Sequence, residues 1–128
     1  KTIISLCLIA VVCFACFAPA LALQDNRITP CAIVTFSSGM PKVAGTTNKY
    51  NPYAIASVGL PEQLSVGFTL YKVVNGNEIY ITSDSDGGYG NYFEAEAVVT
   101  LSKGTYKLYA YYRGETKSDG SVKVYNID

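Results

Sequence analysis

The chain has 128 residues, with ten basic side chains against ten acidic ones, eleven tyrosines, four cysteines, no tryptophan and no histidine. Balanced charge gives no electrostatic hold on nucleic acid or on an anionic membrane. The lack of histidine excludes Ser–His and Cys–His nucleophile pairs and any histidine-based zinc or copper site.

Lys1 leads into an uncharged stretch, residues 2–24, dominated by Ile, Leu, Val, Ala, Phe and Cys. It closes on Pro19-Ala20-Leu21-Ala22, with small residues on either side of Leu21. A basic start, an apolar middle and an Ala-x-Ala exit are the parts of a secretory signal peptide. About 20 apolar residues can also span a bilayer, but Pro19 and the small-residue exit favour cleavage after Ala22. The expectation is a leader, residues 1–22, and one exported domain, residues 23–128, with no stable membrane anchor. That domain has 128 − 22 = 106 residues, nine basic and ten acidic side chains, and a single cysteine, Cys31. One cysteine closes no internal disulfide and builds no thiolate zinc cluster, so stability must come from the core. About 100 residues suffice for one core. Cys31 itself can be a buried thiol in a monomer or link two chains.

Period-2 alternation then runs through most of the exported chain. Ala32 to Phe36 and Tyr53 to Val58 read as strands, with Pro52 and Pro61 as breakers. In 64–71, Leu64, Val66, Phe68 and Leu70 alternate with Ser65, Gly67, Thr69 and Tyr71, which sends the apolar set to one sheet face. Asn75-Gly76 accepts the positive φ angles of a tight hairpin turn, so the strand before it should pair antiparallel with residues 78–82. Residues 84–91, polar and glycine-rich, read as a loop. A long strand follows, with Phe93, Ala95, Ala97, Val99 and Leu101 on one face and Glu94, Glu96 and Thr100 on the other. Ser102-Lys103-Gly104 turns the chain into residues 105–113, where Tyr106, Leu108, Ala110 and Tyr112 form the apolar set. Residues 114–120 read as a loop, and Val122 and Val124 mark a last strand. No window shows a helical stripe. The expected fold is all-β: one small antiparallel β-sandwich, immunoglobulin-like, after the signal peptide.

Carboxylates are the remaining catalytic chemistry. Glu94 and Glu96 lie two apart on one strand, roughly 7 Å between side chains, a spacing compatible with a glycoside hydrolase but equally with a solvated strand face. Asp84-x-Asp86-Gly87-Gly88 has the look of a calcium loop, yet the EF-hand register fails, with Tyr89 at the glycine position and Ala95 at the final carboxylate position. Neither supports a cofactor, and the protein reads as non-catalytic, a small carboxylate-dependent hydrolase being the distant alternative. The unusual feature is tyrosine. By alternation, Tyr71, Tyr80, Tyr109, Tyr111 and Tyr125 fall opposite the apolar set and form the candidate binding face. Exposed rings stack on sugars or anchor a protein partner; strand tyrosines also sit half-buried with the hydroxyl in water and nothing bound. The functional expectation is a secreted module binding a protein or glycan at the cell surface. The alternative is a bacteriocin-like or toxin effector.

The order of features resembles an uncharacterised family of small secreted β-sandwich proteins of Gram-positive bacteria. The matching residues are Cys31, Gly45-Thr46-Thr47, the strand Leu64 to Tyr71, Asn75-Gly76, and Leu101-Ser102-Lys103-Gly104-Thr105-Tyr106-Lys107-Leu108. The likeness implies compartment and fold and no known activity. Members often carry a second cysteine where this chain has Val43, so a bridge across the first hairpin is not implied here.

Overall fold

A computed structural model describes residues 34–128; the expected leader, its cleavage site and Cys31 lie outside the described residues. Every element is a β-strand: β1 (Val34–Gly39), β2 (Lys49–Tyr50), β3 (Tyr53–Val74), β4 (Asn77–Glu96), β5 (Val99–Thr100), β6 (Gly104–Arg113) and β7 (Ser118–Ile127). Five of them make one antiparallel sheet, in which β3 pairs with β1, β4 and β6, and β6 pairs with β7. β2 and β5 form a separate two-stranded ribbon.

The hairpin between β3 and β4 organises the sheet. Asn75 and Gly76 have φ of 53° and 80°, the two successive positive values of a tight turn whose twist matches its strands. From that turn the pairing runs to Glu62↔Gly90, jumps, and resumes from Ser57↔Tyr92 to Tyr53↔Glu96. Residues 58–61 of β3 therefore face only Asn91 of β4, and such an excess on one strand bends it sharply. Pro61 sits inside this bend and does not end the strand, because a missing N–H matters little where the ladder is already interrupted.

Bending turns the second half of β4 back toward its first half, and two carboxylates hold the corner. Asp84 Oδ2 accepts the N–H of Glu96 at 3.0 Å and Asp86 Oδ2 that of Glu94 at 3.4 Å. The glycine-rich run expected as a loop is thus strand throughout. Its glycines permit close approach: a β-carbon on Gly87 would stand 2.8 Å from the Leu64 carbonyl oxygen and 2.9 Å from Ser65 Cβ.

The sheet curls around its inner face. Ala54, Ala56, Val58, Leu64, Val66, Phe68 and Leu70 of β3 are buried there, with Ala95 of β4 and Tyr106, Leu108, Ala110 and Tyr112 of β6. The apolar sets expected from alternation in 53–58, 64–71 and 105–113 are this core. Curling also brings β1 to the inner side of β6 and β7. Phe36 packs on Tyr112 with ring centroids 5.0 Å apart, Lys123 Nζ donates to the Ser38 carbonyl at 2.6 Å, and the Ser38 and Ser121 hydroxyls lie 3.3 Å apart. The β6–β7 turn is tied to β3 by two backbone N–H groups: Gln63 donates to Glu115 Oε2 and Glu115 to Glu62 Oε2, each at 2.8 Å.

Two further expectations are corrected. The strand expected over 93–101 breaks after Glu96 and resumes at Val99 in a different pairing, with Tyr50. The loop expected to Gly120 ends before Ser118, where pairing with Arg113 begins. The principal strands belong to one bent sheet, because β3 and β4, at 22 and 20 residues, run through a corner that composition reads as a break.

Candidate functional site

The outer face of the sheet is a grid set by strand register. Because directly opposed residues share a face, the rows across β4, β3, β6 and β7 can be read off the pairing. Glu78, Val73, Thr105 and Asn126 form the first row. Tyr80, Tyr71, Lys107 and Val124 form the second, and Ser83, Thr69, Tyr109 and Val122 the third. Ser85, Gly67, Tyr111 and Gly120 form the fourth. Rows are roughly 7 Å apart and strands about 4.8 Å apart.

Four of the five predicted tyrosines meet here. Tyr71 is edge-on to Tyr80 (centroids 6.4 Å apart, planes at 79°) and to Tyr109 (5.5 Å, 89°). This is a preferred arrangement of aromatic quadrupoles. Tyr80 belongs to this face through a bulge. Leu70 pairs with Thr82 but Tyr71 with Tyr80, so Ile81 is the extra residue and the alternation of β4 resets by one. Without the bulge Tyr80 would pair with Lys72 on the inner side.

Tyr125 does not belong to the face. It pairs with Tyr106 on the inner side and packs against the core with Ile127; burial first, then neighbouring Tyr53, pushes its phenol above the usual value. Val122 and Val124, expected inside, point out and are more than half exposed. The physical reason is the curl. The inner positions of β7 are taken by Tyr125 and Ile127 against the core and by Ser121 and Lys123, which bond to Ser38 of β1.

Polar chemistry on the face is concentrated at Glu78. Its Oε2 accepts the Tyr109 hydroxyl at 2.7 Å and Lys107 Nζ at 3.2 Å. The Tyr109 hydrogen bond, followed by that of Lys107, holds the Glu78 carboxyl below its ordinary value, and the same bond holds the Tyr109 phenol above its own. Tyr80 and Ser83 hydroxyls are 2.9 Å apart. Between the third and fourth rows lies an open depression of about 360 Å³, lined by Thr69, Tyr109, Tyr111, Gly120 and Val122 among others. Tyr111 is 40% exposed and Tyr80 59%. No described element covers these rings.

The carboxylates singled out for catalysis or calcium are engaged elsewhere. Glu94 accepts the Tyr92 hydroxyl at 3.1 Å, Glu96 accepts Asn51 Nδ2 at 3.1 Å, and Asp84 and Asp86 hold the corner through backbone N–H groups. Among the described residues no group of three or more carboxylates or thiols converges on one point. Sequence reasoning missed Glu78 and Val122 as members of the outer face, and placed Gly67 and Lys107 there without singling them out for binding. Glu78 and Val122 depend on a bulge and on an edge register.

No protein-family model matches the chain, and no curated protein matches it.

Proposed function

We propose that the protein is a secreted, non-catalytic binding module that engages a protein or glycan at a cell surface through Tyr71, Tyr80, Tyr109 and Tyr111. In this reading residues 1–22 direct export, and the curled sheet serves as a small β-sandwich scaffold of the immunoglobulin-like kind. The resemblance to small secreted proteins of Gram-positive bacteria supports the same compartment.

The observation that carries the reading is the cluster of four tyrosines on one continuous face, with Val122 and Val124 beside it and nothing described packed over it. Tyrosine supplies large contact area at low entropy cost and keeps a hydroxyl for directional bonding, which suits recognition surfaces. The test is binding of purified protein to intact Gram-positive cells. Wild type is expected to bind, and changing Tyr109 and Tyr111 together to Ser is expected to abolish binding while far-UV circular dichroism stays β. A double variant that binds like wild type would remove the face from consideration. Growth inhibition of those cells would point to the effector alternative.

A further inference from the structure

We propose that the ligand of the outer face is a neutral carbohydrate chain, with Tyr111 as the stacking platform and the Tyr109–Glu78–Lys107 cluster as the hydrogen-bonding group beside it. This rests on the binding-module reading and names its ligand class.

The first observation is how Tyr111 lies. A β-carbon on Gly67, its direct partner on β3, would stand 2.6 Å from the Tyr111 hydroxyl oxygen, 2.7 Å from Cζ and 2.8 Å from Cε1. A point in the ring plane cannot be that far from all three atoms almost equally. The point must therefore lie out of the ring plane, above the edge that carries the hydroxyl. Tyr111 leans its hydroxyl end over the glycine and stays 40% exposed. The absent side chain of Gly67 is what lets the ring come so close. Aromatic faces are the negative part of the ring quadrupole, and the C–H side of a sugar ring is a flat, weakly positive surface that stacks on them.

The second observation is the surroundings of that ring. Ser85 and Gly120 are the other small members of its row, and the depression of about 360 Å³ opens beside it, within the range of small-ligand sites. One row away the Glu78 carboxylate is already oriented by Tyr109 and Lys107, both on Oε2. Among the described residues nothing donates to Oε1. Lys107 keeps further N–H donors and Tyr109 an acceptor lone pair. Donors and an acceptor side by side, next to a flat ring, match the vicinal hydroxyls of a sugar, each of which both donates and accepts.

Charge selects a neutral chain. Lys107 and Glu78 neutralise each other at 3.2 Å, so an anionic polymer meets a carboxylate and a cationic one meets an ammonium. A protein partner with an apolar anchor would desolvate Ser83, Ser85 and Thr69 without replacing their bonds to water, at a cost; sugar hydroxyls replace them.

The experiment uses purified protein with the neutral β-linked hexasaccharides of glucose and of N-acetylglucosamine, and with intact Gram-positive cells left untreated, oxidised with periodate, or treated with protease. With no tryptophan in the chain, binding is followed by tyrosine emission, to which the face contributes four of eleven rings, and the Tyr111 variants assign the signal. Saturable quenching by a hexasaccharide, or cell binding lost on periodate and kept on protease treatment, supports the proposal. Tyr111→Ala should then weaken binding about tenfold, the scale of one aromatic stacking contact. Gly67→Ala should weaken it similarly by tilting the ring, whereas Tyr111→Phe, which keeps the face, should bind. If Gly67→Ala does not fold, the pair of Tyr111 variants decides. Cell binding that survives periodate and is lost to protease overturns the carbohydrate assignment and leaves the binding-module reading standing. Unchanged binding by Tyr111→Ala also overturns the assignment. No binding to cells or hexasaccharides overturns both.

Discussion

Gly67 and Phe68 are neighbours in β3 and face opposite worlds. Phe68 points inward, 1% exposed, and fills the curl with Leu70, Leu108 and Ala110. Gly67 points outward, and the three atoms nearest its missing β-carbon all belong to the hydroxyl end of Tyr111. The inner face is filled by side chains that cannot change size without leaving a void or a clash. The outer face is a layer of rings resting on a sheet, where a ring can tilt into solvent. One face sets stability and the other is free to recognise.

The sharpest way to break that contrast is Phe68→Ala, expected to cost about 3–5 kcal/mol by removing a ring from a packed interior. That is a large part of a typical stability of about 5–15 kcal/mol. Urea unfolding would show it, and a midpoint near wild type would mean that the inner face is not packed. Next comes the corner. Gly87→Ala drives a β-carbon against the Leu64 carbonyl and Ser65, which are backbone and near-backbone atoms that cannot swing away. Overpacking of this kind costs about 1–3 kcal/mol. Gly67→Ala meets only the far end of a side chain and should cost clearly less; equal midpoints for the two glycine variants would contradict the assignment of faces.

Changing Tyr109 and Tyr111 together to Ser should cost on the order of 1–2 kcal/mol through lost strand propensity and cross-strand pairing. Loss comparable to that of Phe68→Ala would show that the outer rings are structural. The smallest effect is electrostatic. The carboxyl of Glu78 is depressed by Tyr109 and Lys107, so its contribution is present above the ordinary value of 4.5 and fades as pH falls through the lower folded value. Tyr109 is raised by Glu78, so its contribution holds below the ordinary value of 10.0 and is lost as pH rises through the higher folded one. In an alkaline titration followed by tyrosinate absorbance, Tyr109 should ionise late, and Glu78→Gln should bring it back toward the bulk. A Tyr109 that titrates with the exposed tyrosines in the wild type would rule out the bond.

The contrast between faces was visible before the fold was. Leu64, Val66, Phe68 and Leu70 alternate with small and polar residues, and a sheet with one wet side converts that period into two faces. The same holds for Tyr106 to Tyr112. Asn75-Gly76 marked the hairpin because few residue pairs tolerate two positive φ values in succession. Three of the face tyrosines, Tyr71, Tyr109 and Tyr111, follow from these two strands alone.

What local pattern could not supply is everything that depends on a partner strand. Pro61 and the glycines after Asp86 carry the composition of breaks, yet both lie in long strands, because a bend is where a strand tolerates proline and where a second strand must come close. Alternation placed Tyr80 outward, but the register that sets it opposite Tyr71 rests on the bulge at Ile81, a one-residue slip that no alternation distinguishes from regular strand. At the edge, β7 presents its valines to solvent and Tyr125 to the core, since its inner positions were claimed by contacts with Ser38 across the curl. By itself the sequence determined that residues 34–128 are all-β, where the chain reverses at Asn75-Gly76, and which side of its central strands is dry; these follow from φ preference and period-2 geometry, which act over a few residues. Only the tertiary structure decided the corner, the bulge and the register of β7, and with them the grid that sets Glu78 beside Tyr109 and Tyr111 against Gly67. Register and curvature are properties of pairs of strands, and the free energy that selects them is shared between residues far apart in the chain.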